Sequence, residues 1–401
     1  MTGLRGEAAL VGFAEWPSER KYGGPRSFQL EQWAEIAATA LADCGIESSE
    51  VDGLITYDLR ESKDFVPATI AEYCGWEVNF AERMDLGGAS AAGAVWRAAA
   101  AIELGLCNVV VCAVPSRPRP RPTNPKGPRM DWGAVGSSSM EWGSPQAEFD
   151  VPHGNVAQNA GYAMIAQRYA AEFGWDERAL AKIAADQRRS ANATPNAVFR
   201  DVPITIDDVL ASKVVADPIH VLEIVMPCQG GTAIVVTSRE RATRCPHRPV
   251  FVTGFGERLV YKTHTYARDM IRTPIAHAAE QAFTMAGVDR SQVDACQLYD
   301  CYTITVLLTL EDAGFCEKGE GAAFVNDHDL SYAGNFPMNT NGGQLGFGQP
   351  GAAGGMIHVV EAVRQIQGRA GARQLSSADT MFVSGNGGII SEQTALVLQG
   401  G

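Results

Sequence analysis

Short apolar runs alternate with stretches of helical spacing along this chain, and the alternation predicts α/β units. Residues 108–114 form an almost continuous apolar run, as in a strand that is buried on both faces. The small residues of 89–103 have helical spacing, and a second such stretch, from 351 to about 367, precedes the apolar run 380–383. Strands and helices in this order predict a largely parallel sheet covered by helices.

The pattern occurs twice. Residues 34–58 read AEIAATALADCGIESSEVDGLITYD, and residues 276–300 read AHAAEQAFTMAGVDRSQVDACQLYD. The two segments align over their whole length without an insertion or a deletion. Each copy has a helical stretch, a glycine that ends it (Gly45, Gly287), a polar turn and a strand ending in Tyr-Asp (Tyr57, Tyr299). An internal repeat of this kind indicates that the same structural unit occurs twice in the fold. We expect two halves related by a pseudo-twofold axis and layered as α-β-α-β-α.

The repeat also divides the chain. We expect an N-terminal half at residues 1–247 and a C-terminal half at 248–401, with an insertion in the first half at about 116–203. Two helices are expected within the insertion, and the charged stretch 186–189 of the second is typical of a solvated helix face.

Composition narrows the class of protein. A net charge of −13 disfavours nucleic acid as a partner, because phosphate binding needs a basic surface. The sequence contains no apolar run long enough for a membrane span and no metal-ligand spacing among its 7 histidines and 9 cysteines. An odd number of cysteines without CxxC pairs predicts reduced thiols, and we expect a cytoplasmic protein without a metal.

The insertion opens with a basic stretch in this acidic protein. Arginines alternate with prolines from 117 to 122 and end at Arg121, and Lys126 and Arg129 follow. Alternating prolines favour an extended segment. The stretch is either a solvated loop or a contact for a polyanion, such as the phosphates of a nucleotide-like cofactor.

A glycine-rich run, NTNGGQLGFGQPG at residues 339–351, has the form of a catalytic loop. Its glycines allow the backbone to approach a ligand closely. Gln349 stands where a catalytic base could be expected, and an amide side chain does not take up a proton at neutral pH.

Several motifs together resemble those of the thiolase superfamily, and most closely the sterol carrier protein X type of thiolase. The similar segments are Tyr-Asp-Cys-Tyr at 299–302, Ala-Gly-Phe-Cys-Glu-Lys-Gly at 313–319, Asn-Thr-Asn-Gly-Gly at 339–343 and Gly-Gln-Pro at 348–350. The link segments 217–218 and 228–233 extend the resemblance over nearly the whole chain. It implies a duplicated thiolase fold, a homodimer, and coenzyme A as part of the substrate with no covalently bound cofactor. Coenzyme A would supply phosphates for Arg121, Lys126 and Arg129.

The departures from the family pattern fall on its catalytic positions. The nucleophilic cysteine, the histidine of His-Asp-Cys-Phe, the activating histidine of Gly-His-Pro and the second cysteine are replaced by Gly88, Tyr299, Gln349 and Ser384, in that order. The family's Asn-Glu on the next helix corresponds to Thr305-Val306. Acyl transfer through an enzyme thiol needs a nucleophile and a base. The chain is therefore not expected to work as a thiolase.

The loop backbone still suits a thioester enolate. Hydrogen-bond donors that point at a developing oxyanion lower the free energy of the transition state substantially. We expect the substrate to bind at Gly88, Asn341, Gly343, Phe347, Gly385 and Gly387. The chain is similar to steroid side-chain-cleaving aldolases, which lack the thiolase cysteine and use tyrosine. This implies cleavage of a β-hydroxyacyl-CoA to a ketone or aldehyde and a shorter acyl-CoA, with Tyr299 in proton transfer. Tyr57 shows that Tyr-Asp can also be structural.

The second acid–base group stays open. The aldolase relatives often carry an aromatic hydroxyl where this chain has Phe347, so His264, Tyr261 and Tyr266 are the remaining candidates. The resemblance also implies a small partner with an OB-fold and a zinc ribbon, in a heterotetramer. Two alternatives remain: a noncatalytic acyl-CoA-binding or scaffold subunit, and an acetyl-CoA acetyltransferase that uses an unexpected cysteine such as Cys301.

Overall fold

The structure is a computed structural model that describes residues 3–121, 142–155, 157–262 and 264–401. The strands in these ranges are β1 (Ala8–Glu19), β2 (Gly53–Thr56), β3 (Phe80–Arg83), β4 (Val109–Ser116), β5 (Val214–Ala216), β6 (Ile219–His220), β7 (Pro227–Ser238), β8 (Val250–Leu259), β9 (Ala295–Gln297), β10 (Gln349–Pro350), β11 (Thr380–Gly387) and β12 (Glu392–Gly400). The helices are α1 (Gln29–Cys44), α2 (Val66–Cys74), α3 (Ser90–Glu103), α4 (Ala157–Phe173), α5 (Glu177–Asn192), α6 (Ile206–Ala211), α7 (Arg239–Ala242), α8 (Ile275–Ala286), α9 (Thr303–Asp312), α10 (Gly321–Asp327), α11 (Gly343–Gly346) and α12 (Met356–Ile366).

Most of the strands form one continuous mixed sheet with two halves, the first sheet and the second sheet, while β5 and β6 form a separate antiparallel pair. The first half gives the order β3-β2-β4-β7-β1 and the second half gives β8-β12-β11-β9. A short antiparallel pairing, in which Leu10 faces Val250, joins β1 to β8. The strands β3, β2 and β4 pair in parallel, as do β9 and β11, whereas the inner strands pair antiparallel.

Three layers of helix enclose the two sheets. The central layer consists of α3 and α12, whose apolar side chains share one core with residues from both sheets; members of this core include Val95, Ala98, Val359, Val363, Ile55, Val236, Val252 and Leu396. The helices α1 and α2 cover the outer face of the first sheet, and α8 and α9 cover that of the second. This is the layered duplicated fold that the repeat predicts.

The two copies of the repeat adopt the same local structure. The helix α1 ends at Gly45 with φ 65°, and α8 ends at Gly287 with φ 66°. Glycine reaches this left-handed region without steric cost, and so it ends a helix readily. A single 3₁₀ turn then leads into β2 or β9. The chain thus places Tyr57 and Tyr299 at equivalent points, just beyond the carboxyl ends of two strands.

One expectation about the insertion is wrong. The stretch 186–189 lies on α5, but Gln187 and Arg188 are buried. The Arg188 guanidinium stacks on Phe199 and donates to the carbonyl of Val202 at 2.8 Å, and burial lowers its pKa to about 10. The charge faces inward because the segment after α5 folds back over it.

Within the described ranges, no helix combines the length and the apolar character needed to cross a bilayer. Nor do the His, Cys, Asp and Glu residues in that part of the chain form a group suited to hold a metal ion.

Candidate active site

Tyr299 lies in the segment between β9 and α9, with its side chain buried. Its backbone N–H donates to the Ser384 hydroxyl oxygen on the neighbouring strand β11, at 3.1 Å. Ser384 therefore fixes the backbone of Tyr299 at the end of the sheet.

The Tyr299 hydroxyl takes the space in which a side chain at position 88 would begin. Gly88 lies in the turn before α3, and a Cβ built on it would overlap both the Tyr299 hydroxyl and the backbone carbonyl oxygen of Asn386. A backbone carbonyl cannot turn away as a flexible side chain can. Only glycine fits at position 88, and the phenol stands where the thiolase nucleophile would be.

One amide side chain contacts the same hydroxyl. The Gln349 Nε2 donates to the Tyr299 oxygen at 3.4 Å. Burial nevertheless raises the pKa of Tyr299 well above its ordinary value, against the lowering effect of the Gln349 amide. The phenol is therefore neutral at physiological pH, and the amide donor favours its ionised form.

Asp300 ties the glycine-rich loop to this site. Its carboxyl oxygens accept the backbone N–H groups of Gln344 at 2.8 Å and Leu345 at 3.0 Å, at the start of α11. A Cβ at Gly343 would overlap the Asp300 carboxyl, so glycine is needed there for the loop to approach. Asn341 adds a hydrogen bond to the Gly343 N–H at 2.9 Å. Asp300, Asn341 and Gly343 therefore shape the loop.

The glycines of β11 have a similar packing role. A Cβ at Gly385 would lie 2.9 Å from the Cα of Ala89, and one at Gly387 would overlap the carbonyl of Leu86. Both residues belong to the ladder between β11 and β12. They let this strand lie directly against the turn that carries Gly88; the substrate contact expected from the sequence stays a prediction.

Phe347 is also buried, in an apolar cluster with Ala191, Ala197 and Ile357. Its ring has no surface free for a substrate, contrary to the expectation that it contacts one.

The three candidates for a second acid–base group lie next to residues other than Tyr299. His264 is buried against Gly161, its ring contacts the Asn155 amide at 3.5 Å, and burial lowers its pKa. Tyr261 donates to the carbonyl of Ile390 at 3.2 Å, and Tyr266 is exposed. Within the described residues, none of the three hydrogen-bonds Tyr299.

A large cleft opens at the carboxyl ends of β2, β3 and β4, and neither Tyr299 nor Gly88 is among the described residues that line it. Its volume is about 1120 Å³, and one end reaches Gln229 and Gly351, beside Gln349. The apolar and aromatic lining includes Trp33, Tyr57, Leu59, Val114 and Pro115; the charged lining includes Arg60, Lys63, Arg83, Arg117 and Arg119, together with Asp58, which pairs with Arg83.

The three cations predicted to bind coenzyme A phosphates are only partly described. Arg121 is exposed, just beyond the cleft residue Arg119, whereas Lys126 and Arg129 lie outside the described residues.

Four residues of the site went unnoticed in the sequence. Tyr162 on α4 accepts a hydrogen bond from the Asn386 amide at 2.9 Å, and Gln344 contacts His358 on α12 at 3.3 Å. Gln344 could have been found, since it lies in the glycine-rich run. Tyr162, Asn386 and His358 carry no such signal, because only the fold brings α4, β11 and α12 to the end of β9.

The cysteines do not offer a nucleophile. Cys301 is buried, donates to the Tyr162 hydroxyl at 3.3 Å, and has a pKa raised to about 11 by burial. All nine cysteines are free thiols, and burial raises the pKa of each. Thiolate is the reactive form, so acyl transfer through an unexpected cysteine finds no support in this structure.

Comparison with known proteins agrees with the fold. Residues 256–400 match the family described as "Thiolase C-terminal domain-like". The solved structure of the Ltp2-ChsH2(DUF35) aldolase superposes with a TM-score of 0.85 over 100% of this chain and 99% of that chain, at 30% identity. A monomeric SCP2-thiolase-like protein from Mycobacterium smegmatis, at 20% identity and a TM-score of 0.72, shares the fold.

Two curated relatives match over most of their length. A steroid side-chain-cleaving aldolase of Thermomonospora curvata is 33% identical over 92% of this chain and 92% of its own. A 17-hydroxy-3-oxo-4-pregnene-20-carboxyl-CoA lyase of Mycobacterium tuberculosis is 32% identical over 91% of this chain and 92% of its own. The chain therefore belongs to the thiolase superfamily, in the group of the steroid side-chain-cleaving aldolases.

Proposed function

We propose that this protein is a carbon–carbon lyase that cleaves a β-hydroxyacyl-CoA by a retro-aldol reaction. The observation that carries the proposal is the Tyr299 hydroxyl, which stands against Gly88 in the space of the missing nucleophile. Similarity to two lyases over nine-tenths of the chain supports the reaction type. A tertiary or secondary β-hydroxyl on a steroid side chain is the proposed substrate class.

The reaction balances with a single proton carrier. Tyr299, as phenolate, removes the proton of the β-hydroxyl; the Cα–Cβ bond breaks; and the alkoxide carbon becomes the carbonyl of a ketone or aldehyde. The bonding electrons form the enolate of the thioester. The phenol then returns the proton to Cα, which gives the shortened acyl-CoA. General acid–base catalysis of this kind contributes about 10²–10⁴-fold in rate.

The surroundings of Tyr299 support both steps. Burial holds most of the resting side chain as neutral phenol; the small phenolate fraction, formed by loss of the proton to solvent, starts the cycle, and the Gln349 amide favours it. A buried phenolate is a strong base because water does not stabilise it. In this proposal Gln349 orients and donates hydrogen bonds but transfers no proton. The roles of His264 and Ser384 in proton transfer remain predictions; the contact of Ser384 with the Tyr299 backbone favours a structural role.

The cleft offers room for the rest of the substrate. A cavity of about 1120 Å³ exceeds the size range of roughly 300–1,000 Å³ that is usual for small-molecule sites. Its apolar wall suits a polycyclic acyl group, and its arginines suit the phosphates of coenzyme A, which the sequence assigned to Arg121, Lys126 and Arg129. Coenzyme A enters only as part of the substrate, with no cofactor bound covalently.

A partner protein and a second copy complete the proposal. The structural relative is an aldolase named with a DUF35 partner, which supports a small OB-fold and zinc-ribbon partner for this chain as well. The strand β3 ends the first sheet and pairs only with β2 among the described strands, so its free edge suits a homodimer. The assembly proposed is a heterotetramer in the cytoplasm.

A cleavage assay tests the reaction. The protein, alone and with its partner, is incubated with steroidal β-hydroxyacyl-CoAs, and both the released carbonyl compound and the shorter acyl-CoA are measured by mass spectrometry. We expect equal amounts of the two products without added free coenzyme A. Cleavage that requires free coenzyme A would indicate a thiolase, and binding without turnover in the complete complex would indicate a noncatalytic subunit.

A further inference from the structure

The main chain just before Tyr299 is held by a side chain rather than by a neighbouring strand. The parallel pairing of β9 with β11 ends at Gln297. Along the other edge of β9 runs the segment before the glycine-rich loop, where the Asn339 N–H donates to the carbonyl oxygen of Cys296 at 2.9 Å. Leu298, the residue that precedes Tyr299, is bound by the amide side chain of Asn339.

The Asn339 side chain takes the place of a peptide group. Its Oδ1 accepts the N–H of Leu298 at 2.7 Å, and its Nδ2 donates to the carbonyl oxygen of Leu298 at 2.9 Å. Paired residues of an antiparallel ladder exchange the same two hydrogen bonds. Asn339 has 0% exposure, so water does not compete for either of them.

The backbone angle at Asn339 explains why this residue is asparagine. Its φ of 46° lies in the left-handed region, which glycine, asparagine and aspartate adopt more readily than other residues. There the chain turns away from β9 toward Gly343, whose Cβ position lies 2.8 Å from the Asn339 Nδ2. Glycine would supply no side chain, and an ionised aspartate would supply no donor. Asparagine combines this backbone angle with both a donor and an acceptor.

We propose that Asn339 is a positioning residue for Tyr299, and that its two hydrogen bonds to Leu298 fix where the phenol lies. The inference rests on the proposed role of Tyr299 in proton transfer. The hydroxyl has little freedom of place, because it takes the Cβ space of Gly88 and accepts from Gln349 at 3.4 Å. A shift of about 1 Å in a reacting group can cost on the order of 10²-fold in rate.

The glycine-rich loop binds the chain on the other side of Tyr299 as well. Asp300 accepts the backbone N–H groups of Gln344 and Leu345. Removing the Asn339 side chain leaves this second attachment in place. The effect of such a change therefore reports on the position of Tyr299 rather than on loss of the whole loop.

Kinetics of one variant in two backgrounds test the inference. Asn339→Gly keeps the left-handed backbone and removes both hydrogen bonds. We expect its kcat for cleavage of a steroidal β-hydroxyacyl-CoA to fall about 10–100-fold with little change in KM. In a Tyr299→Phe background the same change should lower the residual kcat no further, because the group that Asn339 positions is gone. Full kcat in Asn339→Gly, or an equal fall in both backgrounds, overturns the inference.

The isosteric variant Asn339→Asp should rescue activity only at low pH. A protonated carboxyl accepts and donates as the amide does, whereas a carboxylate only accepts and repels the carbonyl oxygen of Leu298. Burial and the Asp300 carboxyl, which lies around the same Gly343 position, favour the protonated form. We expect the ratio of its kcat to that of the unsubstituted protein to be near one at pH 6 and to fall with rising pH. A ratio that does not vary with pH counts against the two hydrogen bonds. The other titratable groups near this part of the loop, unchanged in the variant, are Cys296, Tyr299, His358, Glu361 and Arg373.

A measurement without substrate separates this inference from the proposed function. The full-length protein carries 3-fluorotyrosine at position 299 only, and its ¹⁹F spectrum is recorded at pH 7. Asn339→Gly should shift or split the resonance. Asn192→Ala is the matched control, because its amide also holds main chain, at the carbonyls of Phe199 and Arg200 (3.1 and 2.7 Å), and it should leave the resonance unmoved. If Asn339→Gly does not fold, Asn339→Asp compared at pH 6 and pH 8 takes its place.

The spectrum and the cleavage assay can fail separately. A resonance that moves in a protein without lyase activity supports the positioning contact and overturns the proposed function. Lyase activity together with a resonance that Asn339→Gly leaves unmoved overturns the positioning contact alone.

Discussion

The Tyr299 hydroxyl and the α-carbon of Gly88 are in such close contact that no side chain fits at position 88. The backbone carbonyl of Asn386 closes the same space from the other side. A side chain at position 88 and this phenol therefore cannot occupy the site together.

Restoring the cysteine should accordingly damage the protein. We expect Gly88→Cys to lower the free energy of unfolding by about 1–3 kcal/mol, the usual cost of overpacking, and to abolish cleavage without creating thiolase activity. Gly23→Ala is the control, because a Cβ at Gly23 meets no atom within 4 Å. Thermal denaturation and both enzyme assays give the readout; a stable Gly88→Cys protein with acetyl transfer would contradict the steric account.

The two repeat-related tyrosines supply a matched pair. Tyr299→Phe should lower kcat by about 10²–10⁴-fold, because it removes the proton carrier, with little change in melting temperature. Tyr57 lines the cleft but carries no proton in the proposed reaction, so Tyr57→Phe should leave kcat unchanged, with any effect confined to KM. Its stability should be equal or slightly higher, since the buried Tyr57 hydroxyl has no hydrogen-bond partner in the described structure. Equal activity of the two variants would remove Tyr299 from the mechanism.

The pH dependence of cleavage follows from the raised pKa of Tyr299. Burial keeps the phenol protonated across the working range, so the ionised fraction grows about tenfold with each pH unit. We expect kcat/KM to rise with pH between roughly 6 and 9. Steady-state kinetics over this range give the slope. A profile that falls with pH would assign the proton-removing step to a different group.

The raised pKa of Glu392 should make the stability of the folded protein depend on pH, independently of the catalytic reaction. Burial, with Asp85 and Glu257 adding their charges, raises the pKa of Glu392 to about 7 from its ordinary 4.5. Its folded pKa is above its unfolded pKa, so its contribution to stability is complete below about pH 4.5 and is lost as the pH rises through 7.

The neutral variant Glu392→Gln should therefore be more stable than the wild type at pH 8, by on the order of 1 kcal/mol after allowance for partial solvent screening. The difference should shrink as the pH falls to 5. Glu72→Gln, on an exposed position of α2, is the control. Urea unfolding at several pH values measures the effect, and a difference that does not vary with pH would refute the assignment.

The thiols should be unreactive at neutral pH. Burial raises the pKa of Cys301 to about 11 and that of Cys228 to about 11, so iodoacetamide at pH 7 should leave cleavage intact. Mass spectrometry of the treated protein locates any label. Rapid labelling of one cysteine with parallel loss of activity would revive the acyltransferase alternative.

Local pattern determined much of this fold. The helix that ends at a left-handed glycine, the polar turn and the strand ending in Tyr-Asp depend on neighbouring residues, and both copies form as the sequence predicts. The match between the copies then predicted two halves and their layers. The substituted catalytic positions likewise depended only on residue identity.

Long-range packing decided the rest. The charge of Arg188 does not reveal that a later segment covers it, and the glycines at 385 and 387 do not reveal whether they face a ligand or another backbone. Both outcomes depend on residues far away in the chain.

The difference between Tyr57 and Tyr299 shows the same limit most clearly. Their local sequences and local structures are alike, and the sequence by itself determined that each lies at the end of a strand. Only the tertiary structure decided that one hydroxyl is buried without a hydrogen-bond partner among the described residues and that the other meets Gly88 and Gln349. The reason is physical: a side chain's protonation and reactivity depend on the groups packed around it, and these come from elements distant in sequence.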